Sequence, residues 1–208
     1  MLHPEIWIPF FLTSLLLALT PGPDNLFVLT QSALFGKVSG FAVVLGLCTG
    51  LIGHTLAVAF GIAVIFETSA AAFSALKFAG AGYLLYLAWK TFRSPRIDLE
   101  TSGQESLGFA RLYRRGIFMN LTNPKVSLFF LAFLPQFTDP ARGSVPLQVF
   151  LLGALCIVAT LLIFGAIAWA GGSVAHWFKR SPLGQKWIHR IAGTVLAGLA
   201  LKLAFVRR

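Results

Sequence analysis

The 208 residues are 57% hydrophobic and only 12% charged, where a soluble chain carries about 25% charged and 45–50% apolar residues. Residues 38–66 and 147–175 each contain no Asp, Glu, Lys or Arg, and a bilayer-spanning helix needs about 20 such residues. A water-soluble domain is excluded. The net charge of +10 does not point to nucleic acid, because the basic residues sit in short gaps between apolar runs rather than on one soluble face.

In chain order the predicted elements are apolar segments at 6–32, 40–65, 70–92, 116–137, 147–175 and 188–205. Together they make an all-α integral membrane protein of six transmembrane helices in a single domain, 1–208. No basic stretch of signal-peptide type precedes residue 6, so the first segment reads as a retained helix. Alternating the sides puts Lys37, Lys90, Arg93 and the basic residues of 96–115 and 179–190 together, eleven in all, against Arg142, Lys202, Arg207 and Arg208. The basic side is expected in the cytoplasm, which leaves both termini periplasmic.

The polar stretch 94–115 is the predicted cytoplasmic loop between a first half, 1–93, and a second, 116–208. Its end, 107–115, reads either as a short helix on the anionic inner leaflet or as a solvated loop. The halves share a pattern. Leu19-Thr20, Leu26-Phe27 and Leu29 recur as Leu121-Thr122, Leu128-Phe129 and Leu131, at a constant offset of 102. Lys77-Phe78-Ala79-Gly80 recurs loosely as Arg190-Ile191-Ala192-Gly193. With three spans per half, such a repeat is inverted across the membrane, an architecture of secondary transporters.

Two motifs interrupt the apolar segments. Thr20-Pro21-Gly22-Pro23-Asp24-Asn25 lies in the first, and Asn120-Leu121-Thr122-Asn123-Pro124-Lys125 in the fourth. Proline lacks an N–H and clashes with the preceding turn, so helices 1 and 4 are expected to break there. Thr20 before Pro21, and Thr122 or Asn123 before Pro124, read as N-caps of half-helices whose positive ends attract an anion. Plain proline kinks without a ligand are the alternative, since neighbouring helices can satisfy the freed carbonyls.

Asp24 and Lys125 follow the breaks. A charge near the bilayer centre costs at least about 2.5–3.5 kcal/mol, so it faces a cavity or a partner. The two either pair as a clasp between the halves or bracket a zwitterion, with Asp24 and exposed carbonyls on an ammonium and Lys125 and the half-helix N-termini on a carboxylate. The expected substrate-binding set is Thr20, Pro21, Gly22, Asp24, Asn25, Thr122, Asn123 and Lys125. Asp24 and His54 are the candidates for proton coupling, although His54 also reads as a histidine bonded to a neighbouring helix. Lys77 and Arg190 read as interfacial anchors.

Gly36 and Gly40, and Gly46 and Gly50, are each four apart, with Gly53 and Gly61 following, a spacing that suits close packing inside the second segment or a homodimer face. Cys48 and Cys156 lie in apolar runs and read as packing residues. The sequence holds no Gly-x-Ser-x-Gly, His-Glu-x-x-His or Cys-x-x-Cys and no phosphate-binding loop. It therefore implies no catalytic set, metal or cofactor, and an energy source in a gradient.

Pro21 to Leu29 resembles the first-helix signature of the LysE/RhtB family of bacterial amino-acid exporters. Leu121-Thr122-Asn123-Pro124-Lys125 followed by Pro135-Gln136-Phe137 resembles its fourth-helix signature, and Leu76 to Leu87 its third-helix pattern. Gly46-Leu47-Cys48-Thr49-Gly50 with His54 is most similar to the homoserine/threonine efflux branch. The resemblance implies a non-enzymatic secondary transporter in the bacterial inner membrane that exports small amino acids against incoming protons, its partners being the amino acid, protons and lipids. Two rival readings are a cation exporter and a non-transporting membrane scaffold.

Overall fold

The computed structural model describes residues 3–68, 70–93 and 107–205. Most of the predicted cytoplasmic loop, 94–106, and both Arg207 and Arg208 lie outside these residues. The chain forms α1 (Pro4–Leu19), α2 (Pro23–Phe35), α3 (Lys37–Thr68), α4 (Ala70–Phe92), α5 (Phe109–Leu121), α6 (Pro124–Leu128), α7 (Val145–Arg180) and α8 (Pro182–Phe205). A π-helical turn at Phe129–Phe133 and a 3-10 turn at Leu134–Phe137 continue α6, and a further 3-10 turn spans Pro140–Arg142. There is no strand among the described residues.

Among the described residues, three stretches are by themselves long and apolar enough to cross a bilayer: Lys37–Gly61, Val145–Gly171 and Leu183–Phe205. Two more arise from bent pairs. Pro4–Leu19 meets Pro23–Phe35 at 62°, and Phe109–Leu121 meets Pro124–Phe137 at 49°. Helices 1 and 4 of the sequence are thus broken where the prolines stand. The 23 residues of α4 give the length of a span, about 35 Å at 1.5 Å per residue, and carry Lys77 and Lys90.

Both breaks use one local device. Thr20 ends α1 and folds its hydroxyl onto the Leu16 carbonyl at 2.9 Å, while Thr122 ends α5 and donates to the Phe118 carbonyl at 2.8 Å. Proline then opens the next helix, Pro23 in α2 and Pro124 in α6. Thr20 is therefore a C-terminal cap and not the N-cap that the sequence suggested, and of the two candidates before Pro124 it is Asn123 that caps α6 while Thr122 ends α5. The two threonine hydroxyls satisfy carbonyls of the ending helix, and Gly22 and Asn123 take the N-cap positions.

The segment 109–115 is helical and continuous with the rest of α5. It is neither a solvated loop nor a separate surface helix. Its Leu112 is buried beside Val43 and Leu47, and Arg115 lays its guanidinium over the Phe27 ring at 4.4 Å, so the basic residues there do not end the helix. Gly36, at φ +84°, makes the one-residue turn from α2 into α3 in a backbone region that suits glycine.

α3 is the central post, packed against α5 on one side and α7 on another, while α4 pairs with α8 and α1 and α2 lean on α7. Gly46 of α3 faces Gly116 of α5, and a Cβ on Gly46 would run into the Tyr113 carbonyl. A Cβ on Gly50 would come 2.6 Å from Asn120 Cβ. Gly46 and Gly50 are therefore used inside the protein, where close backbone approach is what small residues allow. Cys48 and Cys156 are free and buried.

Two apolar cores result. One gathers Phe10, Phe129, Phe130, Phe133, Leu152 and Leu203; the other gathers Val28, Val43, Leu47, Leu112 and Phe164. Several cations lie over aromatic rings, with Lys37 over Trp169 at 4.2 Å and Arg93 over Trp89 at 4.7 Å. Arg190 rests over Trp187 at 5.8 Å, and Lys77 over Phe78 at 4.6 Å.

Candidate functional site

The site lies where the two breaks meet, between the two apolar cores. A cavity of about 30 Å³ there is lined by Leu17, Leu51, Val126 and Cys156 from the first core and by Ala18, Leu47 and Phe164 from the second. Its polar walls are Ser14, Asp24, Asn120, Lys125 and Thr160. Such a volume has room for a water molecule or two, each needing about 10–15 Å³.

Asp24 is 2% exposed, Asn123 6% and Lys125 6%. In a low-dielectric interior, polar groups this deep must find partners, and they find them across the two halves. Asn123 donates a hydrogen bond from Nδ2 to Asp24 Oδ2. The other end of the same amide, Oδ1, accepts from the Lys125 backbone N–H at 3.0 Å and so caps α6. Lys125 Nζ donates to the carbonyl oxygens of Thr20 at 3.1 Å and Leu17 at 3.4 Å.

Asp24 and Lys125 thus do not form the direct clasp that was one reading of the sequence. Each charge sits at a helix end of opposite sign. The ammonium caps the C-terminal carbonyls of α1, and the carboxylate stands in the first turn of α2, the arrangement that helix dipoles favour. The half-helix ends are consequently not bare: Asp24 is itself the anion at α2, and Asn123 serves the first amide of α6.

The remaining predicted residues are more scattered. Gly22 lies beside Lys125, where a Cβ would come 3.4 Å from Nζ. Asn25 turns away, its Nδ2 donating to the Ala18 carbonyl at 2.8 Å. With Thr20 and Pro21 it lines an apolar groove of about 320 Å³ on another face of α1, walled by Ile167 of α7 and by Ile188, Ile191, Ala192 and Val195 of α8. Thr122 is exposed and serves only its own helix. His54 Nε2 lies 3.2 Å from the Asn120 carbonyl oxygen, and its ring is 5.5 Å from Phe130; it anchors the end of α5 rather than touching Asp24.

Three polar residues that line the cavity, Ser14, Asn120 and Thr160, were not in the expected binding set. Asn120 opens the second motif, which was its only signal. Ser14 and Thr160 carry no pattern and reach the cavity through helix rotation alone. Among the described residues no three His, Cys, Asp or Glu side chains are placed to hold a metal ion.

Comparison with known proteins follows the same lines. The family model of LysE type translocators matches residues 15–207. A homoserine/homoserine lactone efflux protein of Salmonella typhi is 36% identical over 98% of this chain and 98% of its own. A membrane protein of Vibrio cholerae is 30% identical over 96% and 97% of the two chains, and a leucine efflux protein of Salmonella choleraesuis 27% identical over 94% and 92%. No solved structure matches.

Proposed function

The chain belongs to the LysE type translocator family, and from that premise we propose that it exports small amino acids of the threonine, homoserine or leucine kind from the cytoplasm. The observation that carries the reading is the meeting of the two breaks, with Asp24, Asn123 and Lys125 buried and bonded between the halves. Intramembrane charges at paired helix breaks are the mark of a transport site. A zwitterion supplies what the site can exchange: an ammonium for carbonyls and carboxylate, and a carboxylate for Lys125.

The relatives sharpen the substrate class. Homoserine and its lactone share an ammonium, but the lactone has no free carboxylate, so one site that serves both must grip the ammonium. The acceptors around Asp24 suit that grip. The named relatives are efflux proteins, and the sequence carries no nucleotide-binding loop, so we assign the driving force to a proton gradient in a secondary antiport. Asp24 and His54 remain the coupling candidates.

Six spans in two inverted halves within the bacterial inner membrane, termini periplasmic and 94–115 cytoplasmic, complete the reading. Its support is the shared Thr-to-Pro device at both breaks and the pairing of helices, α3 with α5 echoed by α7 with α1 and α2. Vesicles reconstituted with the protein and loaded with labelled threonine, homoserine, leucine and lysine test it under an imposed pH gradient. Gradient-dependent loss of the first three is expected. Retention of all four contradicts the export reading and favours a scaffold.

A further inference from the structure

We propose that the C-terminal end of α1 is a seat for a primary ammonium, held by Lys125 until a substrate's ammonium displaces it. The inference rests on the export reading above and names the group that the site recognises first. The atoms gathered at this place are almost all acceptors. Thr20 offers a backbone oxygen beyond the last intrahelical bonds of α1, Leu17 offers one that receives only a shared N–H from Thr20 at 3.2 Å, and Lys125 Nζ donates to both of them. Asp24 Oδ1 and Asn120 Oδ1 are buried without a hydrogen-bond partner, on side chains 2% and 3% exposed that line the same cavity.

An ammonium has three N–H donors, and Lys125 directs its bonds to only two of these acceptors. Buried acceptors left unpaired are costly, so a small ammonium free of the lysine's four-carbon tether gains by sitting among the carbonyls, Asp24 Oδ1 and Asn120 Oδ1. Exchanging one cation for another leaves the charge beside Asp24 unchanged. The displaced Lys125 then meets the substrate's carboxylate, and a charge-assisted bond replaces the two it gave up. Recognition therefore begins at the ammonium. A primary amine without a carboxylate competes for the seat, whereas a carboxylate without an ammonium does not.

Thermal melts of the purified full-length protein test this with n-propylamine, n-propanol and propionate. The Lys125→Ala variant is expected to gain a concentration-dependent rise in Tm with propylamine, larger than wild type gains, because a ligand that binds only the folded state stabilises it. Propanol and propionate should shift neither protein. An equal rise in both proteins, or none in the variant, overturns the seat.

If the variant does not fold, wild type answers through displacement of bound labelled homoserine. Displacement by propylamine and not by propionate supports the seat, and the reverse overturns it. An amine-specific rise without any export by wild-type vesicles would sink the transport reading and leave the seat standing. Export with no amine effect in the variant sinks only the seat.

Discussion

The two breaks start from nearly the same words, Leu19-Thr20 and Leu121-Thr122 before prolines, yet do opposite work. The first is wide and has no side-chain cap at Gly22; the end of α1 presents the Leu17 and Thr20 carbonyls to Lys125, and α2 adds the Asp24 carboxylate. The second is tight, capped by Asn123, and sends donors outward: the Asn123 amide and the Lys125 ammonium. One break accepts and the other donates. The backbone is repeated while the chemistry is complementary, so a single ligand with both charges can interrupt every bond between them.

The difference can be broken at its strongest point. Replacing Lys125 by Ala removes the charged one of the two donors that cross between the breaks. Export from reconstituted vesicles is expected to fall at least about tenfold, about 1.4 kcal/mol of added barrier, with normal insertion into the membrane. Wild-type efflux from Lys125→Ala would mean that the ammonium is only structural.

A smaller effect separates the two caps. Asn123→Ala loses a side-chain cap, which costs about 1 kcal/mol, together with its bond to Asp24. Gly22→Ala meets Lys125 Nζ only at an ordinary contact distance of 3.4 Å in an extended backbone, φ −161°, that any residue adopts. Melting in detergent should therefore drop clearly for Asn123→Ala and hardly at all for Gly22→Ala. Equal losses would show that both breaks depend on their cap residues alike.

Much of this was legible from residue types whose physics is local. Proline cannot continue a helix, so both interruptions could be placed from the chain alone, and the buried Asp24 and Lys125 followed as groups needing company. The spacing of Gly46 and Gly50 likewise hinted at the close crossing of α3 and α5. The role of Thr20 was not legible, because a Thr-Pro pair fits the end of one helix as well as the start of the next, and here Pro23 rather than Pro21 opens α2.

A short helix at 107–115 was one of two readings of the sequence, but its continuity with the fourth segment was hidden by Arg111, Arg114 and Arg115, until Arg115 is seen resting on Phe27. Ser14, Asn120 and Thr160 became visible only once helix rotation brought them to one cavity. That the charges sit at helix ends, with Asn123 bonded to both Asp24 and the Lys125 N–H, depends on distances that no pattern of residues encodes.

The most direct test is equilibrium binding of labelled homoserine to the purified protein, wild type against Asp24→Asn. The substitution keeps the shape of the side chain and deletes the charge that, with the carbonyls of α1, makes the first break an acceptor. Binding weakened at least about tenfold, about 1.4 kcal/mol, is the expected result. Unchanged affinity in Asp24→Asn would contradict the claim that the solute is held where the two breaks meet.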